Sequence, residues 1–384
     1  MPTQVGGSIG TLSNWELDPT AESATMAPLE AMLSELSPTA LMNGTVLPSR
    51  EREAGSVKSK TLKRNPLYLA MAFLMYVAGW QACAQEWPQR PIRIIVAFGA
   101  GGGADIIGRI LAQAMQDKLN QPVVIENRPG AGGTIGNEAV ARADKDGYTL
   151  GIMTAGQIIA ATTRKTLRYD ALADFDPVSL VATASLLIVA RPDFPVSTIK
   201  ELVVAAKAEP NKIVFASSGF GATQHFSAEL FMQTTGVKMV HVPFRNSPEA
   251  ISSVLGRQVD VLFDTISALI GQVQSGELKA LAVTGKERFP VVPEVPTVIE
   301  SGVVPGYDVT TWYGVFAPRG TPRTVIDKLN RTLNEILTEG SVRERLAGAG
   351  VLVQGSTPEA FGAFMSSEFV RWNAVREAAG IEQR

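Results

Sequence analysis

Pro91-Ile92-Arg93-Ile94-Ile95-Val96-Ala97-Phe98-Gly99-Ala100-Gly101-Gly102-Gly103-Ala104-Asp105, continuing as Ile106-Ile107-Gly108-Arg109-Ile110-Leu111, reads as an apolar strand, a glycine-rich turn and a helix. The pattern repeats from Val123-Val124-Ile125-Glu126-Asn127-Arg128-Pro129-Gly130 to Ala131-Gly132-Gly133-Thr134-Ile135-Gly136. A strand that turns on bare glycines into a helix leaves several backbone N–H groups aimed at whatever lies above the turn. The helix dipole adds partial positive charge at the same place. Each turn is thus a candidate anion site built from backbone.

Strands and helices alternate through the rest of the chain. Strands are expected at Ile92–Val96, Val123–Glu126, Tyr148–Thr154, Ser185–Ala190, Lys212–Ala216, Val240–Pro243, Asp260–Asp264, Leu278–Thr284 and Thr311–Ala317. Helices are expected at Asp105–Leu119, Thr134–Ala143, Ser197–Ala208, Gln224–Thr234, Ser247–Leu255 and Ile266–Ser275, and three more start at Pro322, Ser341 and Pro358. This alternation predicts an α/β fold with largely parallel sheets. Two α/β blocks joined near Ser185 and again near Tyr307 give lobe 1 as 85–184 plus 307–384 and lobe 2 as 185–306. A cleft between lobes is where a small ligand binds.

Lys58, Lys60, Lys63 and Arg64 precede the apolar run Leu67–Trp80, which ends at Ala82-Cys83-Ala84. A basic start, an apolar run and an A-x-A site read as a secretory signal peptide over 58–84, cleaved near Ala84. The run is short for a membrane span of about 20 residues. Residues 1–57 mix Ser, Thr, Pro and Gly with scattered acids and show no sustained period, as expected of disorder. They are read as an extension upstream of a true start near Val57. Export from the cytoplasm follows. The only cysteine, Cys83, leaves with the signal, so the remaining chain has no disulfide and no Cys-based zinc site. That remainder carries 29 basic and 30 acidic residues, with no basic stripe to suggest nucleic acid.

The Phe98–Asp105 turn has three readings. Gly99-x-Gly101-x-x-Ala104, with Glu126 ending the next strand, fits a dinucleotide fingerprint and an NAD(P)-type oxidoreductase. The same N–H groups suit a carboxylate in a solute-binding protein. The third reading is a tight turn without a ligand. A branched side chain at Gly102 would stand where a ligand sits and would strain any positive-φ backbone there. Ser217-Ser218-Gly219-Phe220-Gly221-Ala222-Thr223 is the counterpart loop in the second block. In the third turn, Asn127 and Arg128 either bind or pin the loop. His225 and His241 are the only histidines, and neither neighbours a G-x-S-x-G motif. No Gly-Lys-Ser/Thr follows a glycine cluster, so no P-loop is present. No carboxylate–His spacing suggests a metal. Asp264 ends a strand at the cleft edge, where a ligand amine or the next loop would meet it. No catalytic residue, cofactor or metal is assigned.

An ordered set of segments completes the reading: Pro91-Ile92-Arg93; Phe98 with Gly101-Gly102 and Asp105; Glu126 through Gly133; Asp146-Gly147-Tyr148-Thr149-Leu150; Ser217-x-Gly219-x-Gly221; Val242-Pro243-Phe244; and Trp312-x-Gly314-x-x-Ala317-Pro318. Together they resemble the Bug (TctC-type) periplasmic receptors of tripartite tricarboxylate transporters, across essentially all of 85–384. The resemblance implies a two-lobed Venus-flytrap fold with two crossovers. It implies a monomer that binds a small carboxylate, which can be an organic acid, an aromatic acid or an amino acid, and works with membrane permease subunits. A sensor feeding a signalling kinase shares every one of these residues. Carried over position by position, Phe98, Gly99, Ala100, Gly101, Gly102 and Thr154 form the first-lobe side of the site. Ser217, Gly219, Gly221, Ala222, Thr223 and Asp264 form the second. Ala97 and Gly99-Ala100 depart from the family's proline-rich step, and Thr223 stands where serine is common.

Overall fold

The structure, a computed structural model, describes residues 86–378 and 380–383. The signal peptide expected over 58–84 and the extension expected over 1–57 lie outside the described residues.

Strand β1 (Ile92–Val96) pairs in parallel with β2 (Val123–Asn127) and β3 (Thr149–Thr154). Helix α1 (Gly103–Leu119) joins β1 to β2, and α2 (Thr134–Ala141) precedes β3. After α3 (Ala155–Thr163) comes β4 (Phe175–Ala190), a 16-residue strand. The second half then runs α4 (Ile199–Ala208), β5 (Val214–Ser217), α5 (Thr223–Thr235), β6 (Val240–Pro243), α6 (Ser247–Leu255), β7 (Val261–Thr265), α7 (Ile266–Gln274) and β8 (Lys279–Val283). The chain returns through β9 (Thr310–Pro318) and ends with α8 (Arg323–Thr338), α9 (Gly340–Gly348), β10 (Leu352–Val353) and α10 (Pro358–Ala378).

The strand order is β2-β1-β3-β9-β4-β7-β5-β6, with β8 and β10 also on β4. Up to Ser185, β4 pairs with β9; from Leu186 onward it pairs with β7 and β8. One strand therefore runs through both lobes. Its second half alternates cleanly. Leu186, Ile188 and Ala190 enter an apolar layer with Phe215, Phe226 and Trp312, whereas Leu187 and Val189 enter another with Leu262, Ile266 and Leu269. In the first lobe, Ile92, Ile94 and Val96 pack with Ile107, Leu111 and Met115 of α1 and with Leu329 and Leu333 of α8. The two crossovers are tied by Thr284, fully buried, whose Oγ accepts from Leu186 N–H (2.9 Å) and donates to the carbonyl of Val309 (2.6 Å).

Three expectations are corrected. The sheets are mixed: β3–β9, β9–β4, β4–β7, β4–β8 and β4–β10 are antiparallel. The chain leaves the first lobe on β4 and returns on β9, so two strands that pair there must run oppositely. The strand expected at Ser185–Ala190 begins ten residues earlier, and Pro177 is tolerated because the register shifts between Pro177 and Ser179. Helix α3 was not anticipated; seven of its nine residues are buried, so it shows no polar face for periodicity to detect. Among the described residues, no helix is long and apolar enough to cross a membrane.

Candidate functional site

Five helices begin around one pocket between the lobes. Gly102 precedes α1, Thr154 precedes α3, Ala222 precedes α5, Asn246 precedes α6 and Thr265 precedes α7. The pocket is lined by Gly102, Gly103, Thr154, Thr223, Ser247 and Thr265 from these starts, with Phe98, Gly99, Ser218, Gln224, Thr311 and Tyr313 around them. Each start follows a strand whose C-terminal end opens there, the position where α/β sheets hold ligands. Thr154 Oγ1 accepts from Gly156 N–H, and Asn246 Oδ1 accepts from Glu249 N–H. The starts of α1, α5 and α7 have no side-chain cap. Their first N–H groups are therefore free for an acceptor in the pocket.

No lysine, arginine or histidine lines this pocket. Its positive potential comes from aligned backbone dipoles. Hydroxyls supplement them: Ser218 Oγ, Thr265 Oγ1 and Tyr313 Oη are buried without a hydrogen bond of ordinary geometry, although Thr265 and Ser267 lie beside the Tyr313 hydroxyl. Tyr313 reaches the pocket because β9 pairs it with Thr154 across the ladder.

The lobes meet closely around this pocket. A Cβ placed on Gly99 would lie 2.4 Å from Asn246 Cβ, and one on Gly103 would lie 2.5 Å from Tyr313 Oη and 2.8 Å from Thr265 Oγ1. Glycine is required at these positions by contact. Positive φ (+80°) falls on Gly101, whereas Gly102 has φ −81° and a Cβ there would make ordinary contacts, 3.4 Å from Ser247 Oγ and 3.5 Å from the Gly99 carbonyl oxygen. The strain argument made for Gly102 therefore does not apply.

The other anticipated residues are placed as follows. Ala100 and Gly101 are exposed on the rim. Ser217 is fully buried and its hydroxyl meets His241 Nε2 (2.8 Å) and the carbonyl of Gly219 (3.2 Å), bracing the loop, while the neighbouring Ser218 lines the pocket. Gly219 lines an adjoining outer chamber that shares Phe98 and Ser218 with the pocket. Gly221 faces Arg164, and Ala222 is buried. Asp264 lies beneath the pocket, fully buried, with Oδ1 accepting from Gln224 Nε2 (3.1 Å) and from Thr265 N–H (2.7 Å). Burial pushes its carboxyl above the usual carboxylate range.

Asp105 pins the first glycine loop. It accepts from Gly101 N–H (2.9 Å), Asn127 Nδ2 (3.0 Å) and Arg109. Asn127 Nδ2 also donates to the carbonyl of Phe98 (3.0 Å), so this residue holds the loop from behind. Burial raises the Asp105 pKa, but the bonds from Arg109, Gly101 and Asn127 outweigh it and the net shift is downward. The depressed carboxylate stabilises the fold above the ordinary carboxylate range, and the contribution is lost as pH falls through the folded value. Asp105→Ala is expected to cost about 1–3 kcal/mol at pH 7, because it removes the charged acceptor that three donors share. Chemical denaturation of both proteins along a pH series should show the gap closing as acid protonates the wild-type carboxylate.

Glu126, the acid a nucleotide ribose would need, is paired with Arg128 and Arg93. The two histidines stack behind the second loop with ring centroids 4.3 Å apart. His225 Nδ1 accepts from Gly221 N–H, and its Nε2 meets Glu229. Burial, then the neighbouring His225, lowers the His241 pKa from 6.5 to about 3. The unfolded chain takes up a proton near pH 6.5 that the folded chain refuses. Stability should therefore decline as pH drops from 6.5 toward 3, and His241→Asn should flatten that limb in urea denaturation.

Gln224, Asn246, Thr311 and Tyr313 were not singled out from the sequence. Only Asn246 carries a local signal, the Asn-Ser-Pro-Glu helix start.

A family model described as the tripartite tricarboxylate transporter family receptor matches residues 107–381. The periplasmic binding protein BugD is 38% identical, with TM-score 0.75, over 78% of this chain and all of that one. The structure of R. palustris Rpa4515 with adipate is 33% identical, TM-score 0.75, over 78% of this chain and all of that one. MatC from Rhodopseudomonas palustris with bound malate is 34% identical, TM-score 0.72, over 75% of this chain and 99% of that one. The chain belongs to the TctC family of two-lobed periplasmic solute-binding receptors.

Proposed function

We propose that this chain captures a small carboxylate in its interlobe pocket and delivers it, as a monomer, to the membrane permease subunits of a tripartite tricarboxylate transporter. The reading places the protein in the periplasm, exported by the 58–84 signal peptide. It assigns lobe 1 to 85–184 plus 307–384 and lobe 2 to 185–306. The observation that carries it is the convergence of five helix starts on a pocket with no cationic side chain. Such a site satisfies a carboxylate through N–H and O–H donors from both lobes, so ligand favours the closed arrangement. The adipate and malate in two neighbouring structures support that ligand chemistry.

Of the anticipated residues, Phe98, Gly99, Gly102, Thr154 and Thr223 hold the acid in this proposal. Ser217, Gly219, Gly221 and Ala222 shape the second loop, and Ala100 and Gly101 of the first loop form the rim of the pocket. Asp264 fixes Gln224 and Thr265 from below.

Thermal shift against a panel of organic, aromatic and amino acids, run beside NAD(H) and NADP(H), tests the reading. A matching acid at 100 times its Kd should add about 2.7 kcal/mol of stability. Stabilisation by nucleotides alone would reverse it.

A further inference from the structure

The Gly130–Gly133 turn is absent from the ligand pocket and lines the adjoining outer chamber, on a backbone of four consecutive left-handed or positive-φ residues. Gly130, Ala131, Gly132 and Gly133 all have positive φ, at +134°, +49°, +66° and +97°. A non-glycine in that region is unfavourable, so the run at Ala131 needs support from elsewhere. The turn presses on the second-lobe loop: a Cβ on Gly132 would lie 2.4 Å from the carbonyl oxygen of Phe220. Arg164, just after α3, reaches the same junction. Its Nη2 donates to the carbonyl of Ala131 at 2.7 Å and lies 3.5 Å from that of Phe220. A Cβ on Gly221, at φ +80°, would come within 3.1 Å of Nη2. Arg164 Nε is buried with no hydrogen-bond partner, so that nitrogen has given up water where the guanidinium sits between the two loops.

We propose that Arg164 is an interlobe clasp: it fastens the Gly130–Gly133 turn to the Phe220–Gly221 backbone and thereby positions the Ser218 and Thr223 donors over the ligand. The clasp is a positioning device, since Arg164 does not line the ligand pocket. It rests on the reading of the cleft as one that shuts on a small carboxylate. A planar fork that serves two carbonyls suits this place better than a point charge. The Ala131 bond lies within lobe 1 and holds Arg164 in place, whereas the approach to the Phe220 carbonyl spans the cleft, so loss of Arg164 acts on ligand escape more than on entry.

Hydrogen exchange read by mass spectrometry tests the contact on the ligand-free full-length chain. Arg164→Met should speed exchange at least fivefold in peptides spanning 128–134 and 218–224, with the β4 core at 186–190 unchanged. Gly132→Ala attacks the same junction without touching Arg164 and should produce the same pair of changes. Arg164→Lys, which keeps a donor on a long stem, should restore part of the protection. With adipate and malate as probes, Arg164→Met should raise the dissociation rate about tenfold and leave the association rate within about twofold. Exchange that stays at wild-type rates in 218–224 overturns the clasp, and so does an unchanged dissociation rate. If neither acid, nor any acid of the panel, binds wild type, the transport reading fails, while the exchange data still judge the contact.

Discussion

Gly99→Val is expected to abolish tight carboxylate binding while leaving the chain folded. The added Cβ meets Asn246 Cβ at 2.4 Å, and Asn246 is the first residue before α6 on the opposite side of the cleft. Neither lobe needs to change internally to relieve that overlap; the lobes need only part. The unliganded protein therefore keeps its melting temperature to within a few degrees. The ligand loses the donors of one lobe, and Kd should rise about 100-fold, equivalent to about 2.7 kcal/mol. Calorimetric titration with the acid found in the stability screen, beside a thermal melt without ligand, measures both quantities. Unchanged affinity would mean that the closed arrangement is not the ligand-holding one.

The second large effect concerns stability. Glu368, 5% exposed on α10, accepts from the indole N–H of Trp312 (3.2 Å) and from that of Trp372 (2.9 Å), and pairs with Arg371. Trp372 in turn meets Phe226 of α5 edge-on, with centroids 5.4 Å apart. Glu368→Ala leaves two buried indole donors without an acceptor and removes one of the two carboxylates that Arg371 pairs with, the other being Asp308. Each orphaned donor costs about 1–3 kcal/mol, so a loss of about 3–5 kcal/mol is expected. Differential scanning calorimetry should show the melting temperature falling by roughly 5–8 °C for a domain of this size. Glu368→Gln, which keeps one acceptor oxygen, should recover part of that loss.

The features that were legible in the sequence carry their chemistry locally. β1, β6 and α6 have the bounds anticipated from apolar runs, glycine turns and caps, because those signals act within a few residues. Helix α3 was invisible because burial on all sides erases the contrast that periodicity measures. The first half of β4 was hidden by Pro177 and Ser179, which only a bulge against β9 makes acceptable. At the pocket, the glycine loops announced themselves through composition. Tyr313 and Thr311 did not, since their arrival depends on β9 registering against β3 and β4. The placement of Ser217 against His241, with Ser218 in the pocket, is likewise set by a parallel partner strand more than 20 residues away.

The passage of β4 through both sheets, with Thr284 stitching it to the returning chain, bears on how the molecule melts and evolves. The strand pairs with β9 along its first half, with β10 at Ala182 and Thr183, and with β7 and β8 on both edges of its second half, so fraying in one lobe pulls on the same backbone that the other lobe holds. The halves are thus a single cooperative unit, although the cleft makes them look like two. Cutting the gene at the waist yields fragments that each lack a central strand, so new specificities must arise by changing loops on an intact frame rather than by exchanging whole lobes.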